Sequence, residues 1–187
     1  MTFAVPAGYT VAPALGRDVD PWLESIGEQV KDNGDDGVYF SPRSRFDPPP
    51  QRTAESILGY VARMAKSHVE PGWFRLWVAR VEATGEVVGH IDLSGGRLPT
   101  ELHRSEMGMG ILLPHRGKGL GPALLDTAIA WARAAGLSWI ELGVFACNPR
   151  AQRLYERFGF SVIGAVPDRF RVEGVVIDDV RMALRLG

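Results

Sequence analysis

A second cysteine is missing from this chain of 187 residues: Cys147 stands alone, so no internal disulfide can form and a small cystine-stapled fold is excluded. An excess of charge is missing as well. The chain has 21 Lys and Arg against 22 Asp and Glu, a formal net charge of −1, which leaves no general basic field to hold a nucleic-acid backbone or an anionic membrane. No apolar run reaches the roughly 20 residues that a membrane helix needs, because Arg, Asp, Gly or Pro interrupts each candidate. Met1 to Tyr9 has neither the basic start nor the apolar stretch of a secretory signal. No pair of His or Cys has ligand spacing, so no metal site is expected. Internal repeats and low-complexity tracts are absent too. The expectation is a soluble, cytoplasmic protein with neither nucleic acid nor membrane as partner. What is present is ordinary, with 45% apolar and 23% charged residues in a length that suits one domain spanning 1–187.

Local patterns divide the chain. Tyr9 to Leu15 alternates like a short edge strand, and Asp18 followed by Pro21 predicts a capped helix running to about Val30. Lys31 to Gln51 is rich in Gly, Asp and Pro and has no sustained period, so it reads as a long loop. Loops of that length in compact domains are usually functional or disordered, and the aromatics Tyr39, Phe40 and Phe46 suggest packing. Ile57, Val61, Met64 and Ala65 recur at helical spacing within Thr53 to His68. Trp73 to Val81 and Glu86 to Leu93 read as a hairpin around Ala83-Thr84-Gly85. Ser105 to Leu113 is a further strand broken by Gly108 and Gly110, a sign of a bulge or of close backbone approach. Leu120 to Ala135 predicts an amphipathic helix closed by Gly136, and Ser138 to Phe145 a strand. Pro149 to Phe158 is a helix capped by Asn148, followed by strands over Phe160 to Val166 and Val175 to Leu186. The order is strand, two helices, three strands, helix, strand, helix, two strands, which implies an α/β domain with a mixed seven-stranded sheet.

Chemistry concentrates in Ile111-Leu112-Leu113-Pro114-His115-Arg116-Gly117-Lys118-Gly119-Leu120-Gly121. A strand ends, three glycines alternate with larger residues, and a helix begins. Glycines let successive N–H groups converge, and a helix N-terminus adds partial positive charge, so a pyrophosphate is the natural occupant. The nucleotide-hydrolase loop is excluded because no Gly-Lys-Ser or Gly-Lys-Thr occurs, and the dinucleotide fingerprint because Gly117, Gly119 and Gly121 have the wrong spacing.

Arg116, Gly119 and Gly121 instead resemble the Arg/Gln-x-x-Gly-x-Gly/Ala signature of the GNAT superfamily of N-acetyltransferases. Downstream, Asn148, Ala151, Leu154-Tyr155 and Gly159-Phe160 resemble that family's second signature. The resemblance implies a mostly antiparallel mixed sheet that splays between its fourth and fifth strands, with helices on both faces. It implies acetyl-CoA as cosubstrate and no metal, with direct transfer of acetyl to an amine. The pantetheine arm would enter the splay against Ile111, Leu112 and Leu113. Arg116, Gly117, Lys118, Gly119, Leu120 and Gly121 would hold the pyrophosphate, while Asn148, Arg150 and Tyr155 would complete the cosubstrate site. Pro114 stands two residues before Arg116 where the family often has proline three before, so the register of the strand contacts is open by one residue.

By the same resemblance Tyr155 would protonate the departing thiolate. Glu106 is the first choice for general base, on the expectation that a carboxyl in an apolar strand has a raised pKa, and Glu141 is the second. His90 and His115 are lesser candidates, and Cys147 reads as a packed thiol. Tyr39, Phe40 and Arg43 of the loop, with Phe170 and Asp178 near the last strands, are the candidate acceptor-binding residues. That mixture of acids and arginines suits a small, amino-acid-like primary amine. A peptide N-terminus or lysine, and a catalytically silent CoA-binding module, are the alternatives. Exposed strands and the aromatic loop are compatible with a homodimer.

Overall fold

Alternating runs become strands and period-3.6 runs become helices, in the expected order. The computed structural model describes residues 3–187. Within them lie β1 (Tyr9–Pro13), α1 (Val19–Lys31), α2 (Ala54–Ala65), β2 (Phe74–Val81), β3 (Val87–Gly95), β4 (Arg104–Ile111), α3 (Leu120–Ala134), β5 (Trp139–Phe145), α4 (Pro149–Arg157), β6 (Ser161–Val172) and β7 (Val175–Arg185). The strands form one sheet ordered β1-β2-β3-β4-β5-β7-β6. Neighbours are antiparallel except β4 and β5, which run parallel.

Side-chain alternation on β2 explains the layers. Phe74, Leu76 and Val78 point to one face, where Val19, Trp22 and Leu23 of α1 and Ile57, Tyr60 and Val61 of α2 cover them. Trp73, Trp77 and Ala79 point to the other, against Leu124, Leu125, Ala128 and Ala132 of α3. Both faces of β2 are therefore apolar, as its near-continuous hydrophobic sequence requires, whereas β3 adds Ile91 and Leu93 to the α3 side and His90 and Asp92 to the other. Each fully buried side chain such as Leu124 contributes about 1.5–3 kcal/mol. No helix among the described residues is long and apolar enough to cross a membrane.

Two helix starts carry side-chain caps, the second as expected. Thr53 Oγ1 accepts from Ser56 N at 3.2 Å, and Asn148 Oδ1 from Ala151 N at 3.2 Å. Asp18 differs: its Oδ2 accepts from Leu15 N at 2.7 Å and its Oδ1 pairs with Arg80 at 2.7 Å, so the carboxylate closes the preceding turn and ties it to β2. β6 also runs six residues past the expected end at Val166, through Val172. Pro167 hid this extension. The edge strand tolerates the proline at a bulge, where Asp168 takes φ +48° and the pairing resumes at Phe170↔Ile177.

What positions the site is the parallel pair. β4 and β5 are in register at Arg104↔Trp139, Ser105↔Ile140 and Glu106↔Glu141 only. Beyond those residues Met107–Ile111 and Leu142–Phe145 are not paired with each other, and the sheet opens into a wedge.

Candidate active site

The wedge points at the N-terminus of α3. After β4 the chain turns through Leu113–His115, then Gly117 (φ +79°) and Gly119 (φ +90°) adopt left-handed backbone that side chains resist. Gly119 is the N-cap of α3, and the first helical turn carries no acidic residue. A helix leaves its first N–H groups without internal partners, and Pro122 has none to offer, so Leu120 and Gly121 supply the donors at this end. Lys118 is exposed beside them. A side chain at Gly117 would come within 3.3 Å of the Arg150 guanidinium, which places Arg150 of α4 at the same loop. Donors and helix dipole thus meet at one place, with the Arg150 guanidinium beside it.

Arg116 has a different job from the rest of its motif. Its Nε donates to the Ile111 carbonyl at 2.8 Å and its guanidinium lies 4.8 Å over the Phe40 ring, fixing the loop to the end of β4 and to the 32–53 segment. Burial pulls this guanidinium below its ordinary pKa, opposed by Asp32.

One hydrogen bond decides which strand the Leu112 backbone serves. Leu112 N donates to Val88 O at 2.9 Å, so the Leu112 backbone is committed to β3. Backbone groups alternate sides along a strand, and those of Met109 and Ile111 therefore turn toward the wedge. Leu112 is corrected to a strand-pairing residue, and Met109 takes its place at the opening. Leu113 lies in the exposed turn after the strand.

On the α1 face, the same alternation gathers Gln29, His90, Asp92, Glu106, Glu141, Asp179 and Arg181. The glycines of β4 make room for them. A Cβ on Gly110 would fall 1.8 Å from Gln29 Oε1, and one on Gly108 would fall 2.7 Å from Asp92 Oδ1. The expected surroundings of the two glutamates need correcting. Glu106 is half exposed and bound by Arg181 at 2.9 Å, and Glu141 is bound by Arg104. Neither sits alone in an apolar strand, because β7 and β4 each deliver an arginine to it. The carboxyl in apolar surroundings is Asp92, which burial pushes up to about 7; Arg63 and the Gly108 N–H oppose that rise and Glu106 adds to it. His90, packed edge-on against Trp22 with Gln29 at 3.5 Å, is pulled by burial down to about 4 and is neutral at pH 7.

These two shifts carry a prediction for stability. The folded pKa of Asp92 is raised, so its contribution is present below pH 3.8 and lost as pH rises through 7. His90 has a depressed pKa, so its contribution is present above pH 6.5 and lost as pH falls toward 4. The slopes oppose each other between about pH 4 and 6.5. Asp92→Asn removes one of them. Its unfolding free energy should exceed the wild-type value at pH 8 by about 1–3 kcal/mol, after allowance for an 18% exposed side chain, with a higher Tm, and should fall on acidification where the wild type stays flat. Thermal unfolding across pH checks this; a lower Tm at pH 8 would contradict it.

Tyr155 of α4 lies against Phe160 at 5.8 Å, buried, and desolvation pushes its phenol up to about 12. It therefore holds its proton at neutral pH. Asn148 caps α4 as expected, and Cys147 is packed beside Phe170 with its thiol 3.7 Å from Tyr39 O. His115 Nδ1 lies 2.9 Å from the Tyr9 hydroxyl, which ties it to β1.

Of the expected acceptor residues, the structure brings Tyr39 and Phe170 together, places Phe40 at Arg116 and sets two apart. Tyr39 and Phe170 pack with Phe145, Val172 and Ile177 beside the wedge end of β5, and Phe40 lies under Arg116. Arg43 is corrected: its guanidinium donates to Pro48 O and faces the outer side of α1, because the proline run folds back over that helix. Asp178 is also corrected. Its Oδ1 accepts from Asp168 N at 2.8 Å and holds the β6 bulge, while alternation sends its neighbour Asp179, 3.9 Å from Arg181, to the α1 face. The loop itself is fastened to the β6–β7 turn by Arg45, which bridges Asp35 at 2.6 Å and Glu173 at 3.3 Å. Among the described residues no group of three or more His, Cys, Asp or Glu could hold a metal ion.

A parallel pair that splays toward a glycine-rich helix entry defines an acyl-CoA-type transferase fold, and the chain belongs to the acetyltransferase (GNAT) family, whose pattern matches residues 42–160. It is similar to the mycothiol acetyltransferase of Propionibacterium freudenreichii, 32% identical over 140 residues and 73% of this chain. It is also similar to the L-methionine sulfoximine/L-methionine sulfone acetyltransferase of Pseudomonas paraeruginosa, 33% identical over 107 residues and 56% of this chain. The matched segments cover 43% and 62% of those proteins, so the chain spans about half the length of the curated relatives it matches. In fold it is similar to the phosphinothricin acetyltransferase of Sinorhizobium meliloti solved in complex with acetyl-CoA. That likeness has a TM-score of 0.78 at 23% identity and covers 96% of this chain and 89% of that one.

Proposed function

We propose that this chain is an acetyl-CoA-dependent N-acetyltransferase that passes the acetyl group directly to a primary amine of a small molecule. The observation that carries the reading is the continuity of the wedge between β4 and β5 with the donor-rich entry to α3. An elongated thioester with a pyrophosphate at one end fits that path. In this reading the N–H groups from Gly117 to Gly121, with Lys118 and Arg150, hold the pyrophosphate, and backbone groups of Met109 and Ile111 hold the pantetheine arm as an added strand would. Acetyl-CoA supplies an activated acyl carbon. Tyr155 supplies the proton for the departing sulfur, which its protonated state at neutral pH suits. A backbone N–H at the wedge stabilises the oxyanion. The Glu106–Arg181–Asp179 group lines the acceptor side, presenting both signs of charge to an amine that also carries a carboxylate.

Support for a small acceptor comes from the relatives, one named a mycothiol acetyltransferase and the other an L-methionine sulfoximine/L-methionine sulfone acetyltransferase. The test is release of CoA with L-methionine sulfone, phosphinothricin and spermidine beside a set of short peptides. Turnover of at least one small amine is expected. Turnover of peptides alone would replace the small-molecule acceptor, and acetyl-CoA binding with no turnover of any amine would make the chain a silent binding module.

A further inference from the structure

Beside Asp179, which lies 3.9 Å from Arg181, three carboxyl groups face the acceptor side of the wedge from neighbouring strands, and two are occupied. Glu106 is held by Arg181 and Glu141 by Arg104, so each already has a guanidinium partner. The third, Asp92, has no Lys or Arg nitrogen within 4.0 Å among the described residues; the nearest charged or titratable partner at salt-bridge range is His90 Nε2, at 4.0 Å.

Its position is set by register. Asp92 of β3 pairs with Gly108 of β4, and any side chain at Gly108 would collide with Asp92 Oδ1 at 2.7 Å. The bare Cα of Gly108 therefore leaves the carboxyl a clear path over β4, one strand spacing of about 4.8 Å from the wedge. The elements around it are α1, which contributes neutral Gln29, α2 with Arg63, β4 with Glu106, β2 with apolar Leu76, and β3 itself with His90. The side chain keeps 18% exposure, so a ligand atom can reach it.

We propose that Asp92 is the catalytic residue that takes the proton from the acceptor ammonium. This rests on the acetyltransfer reading above. The ammonium gives one proton to the Asp92 carboxylate, and the freed lone pair forms the C–N bond at the thioester carbonyl carbon. Collapse of that adduct breaks the C–S bond, with its electron pair left on sulfur, and the sulfur takes the phenolic proton of Tyr155. The second proton on nitrogen returns to the phenoxide through water, and Asp92 releases its own proton to solvent. Ammonium and acetyl-CoA thus become amide, CoA thiol and one free proton. A folded pKa near 7 matches an acceptor that must be ready and yet basic at neutral pH.

The test compares kcat/KM against pH for wild type, Asp92→Asn, Gly108→Ala and Glu106→Gln, with the best amine among L-methionine sulfone, phosphinothricin and spermidine. Asp92→Asn should lower kcat by about 100-fold or more and abolish the acidic limb near pH 7, with acetyl-CoA Kd by calorimetry unchanged within about twofold. Gly108→Ala, which displaces the carboxyl without removing it, should lower kcat and move that limb. Glu106→Gln should keep the limb whatever its turnover. Unchanged acetyl-CoA affinity and far-UV dichroism show that the variants are folded. Wild-type kcat in Asp92→Asn, or a limb that persists there and vanishes in Glu106→Gln, would overturn the assignment while leaving acetyltransfer standing. A wild type that binds acetyl-CoA and acetylates no amine would overturn both.

Discussion

Replacing Tyr155 by phenylalanine is expected to lower kcat by about 100- to 1000-fold while acetyl-CoA affinity stays within about twofold. The substitution keeps the ring that packs against Phe160 and removes only the hydroxyl, so α4 and the core it covers remain in place. What disappears is the proton that the proposed mechanism gives to the thiolate. Because burial holds the phenol near 12, the wild-type rate should show no fall on the alkaline side until well above neutral pH, and the variant should inherit the same acidic limb. Equal losses in kcat and kcat/KM mark an interaction made only in the transition state. A rise in KM alone would reduce Tyr155 to a packing residue.

The second large effect is on binding of the donor. Gly119→Asp should weaken acetyl-CoA by about 30- to 150-fold, which corresponds to about 2–3 kcal/mol for a like charge placed close to the pyrophosphate and partly screened by salt. Gly119→Asn is the control. Asparagine and aspartate tolerate left-handed backbone about equally, and both would meet Pro6 Cγ near 3.2 Å, so steric and conformational costs cancel between them. The remaining difference is charge at the mouth of α3. The gap between the two variants should shrink as salt is raised. Equal affinities for the pair at low salt would mean that no anion binds at this helix entry.

Much of the fold was legible because its signals are local. The glycine loop, the Asn148 cap, the apolar stripe of α3 and the hairpin at Ala83-Thr84-Gly85 each depend on residues within one or two turns, and each lies where expected. The end of β6 was not legible, since Pro167 and a left-handed Asp168 look like a stop until β7 is seen to pair beyond them. The site divides in the same way. The proposed phosphate end is contiguous in sequence, whereas the proposed acceptor end is assembled by register between distant segments. Nothing near Glu106 announces Arg181, 75 residues away, and nothing near Arg43 announces that prolines will turn it to the far side of α1. Asp92 carries a faint signal, an acid alternating with His90 in an apolar strand, but only the pairing with Gly108 shows where it leads. Asp178 and Asp179 illustrate the same limit, because neighbouring residues on a strand face opposite sides and sequence alone does not say which side is open.

The most direct test of the account is a crystal structure of the protein with acetyl-CoA. It should show the pyrophosphate on the N–H groups between Gly117 and Gly121, the pantetheine lying between β4 and β5 against Met109 and Ile111, and the sulfur within reach of the Tyr155 hydroxyl. A cosubstrate bound elsewhere, or a wedge between β4 and β5 that stays empty at saturating acetyl-CoA, would contradict it.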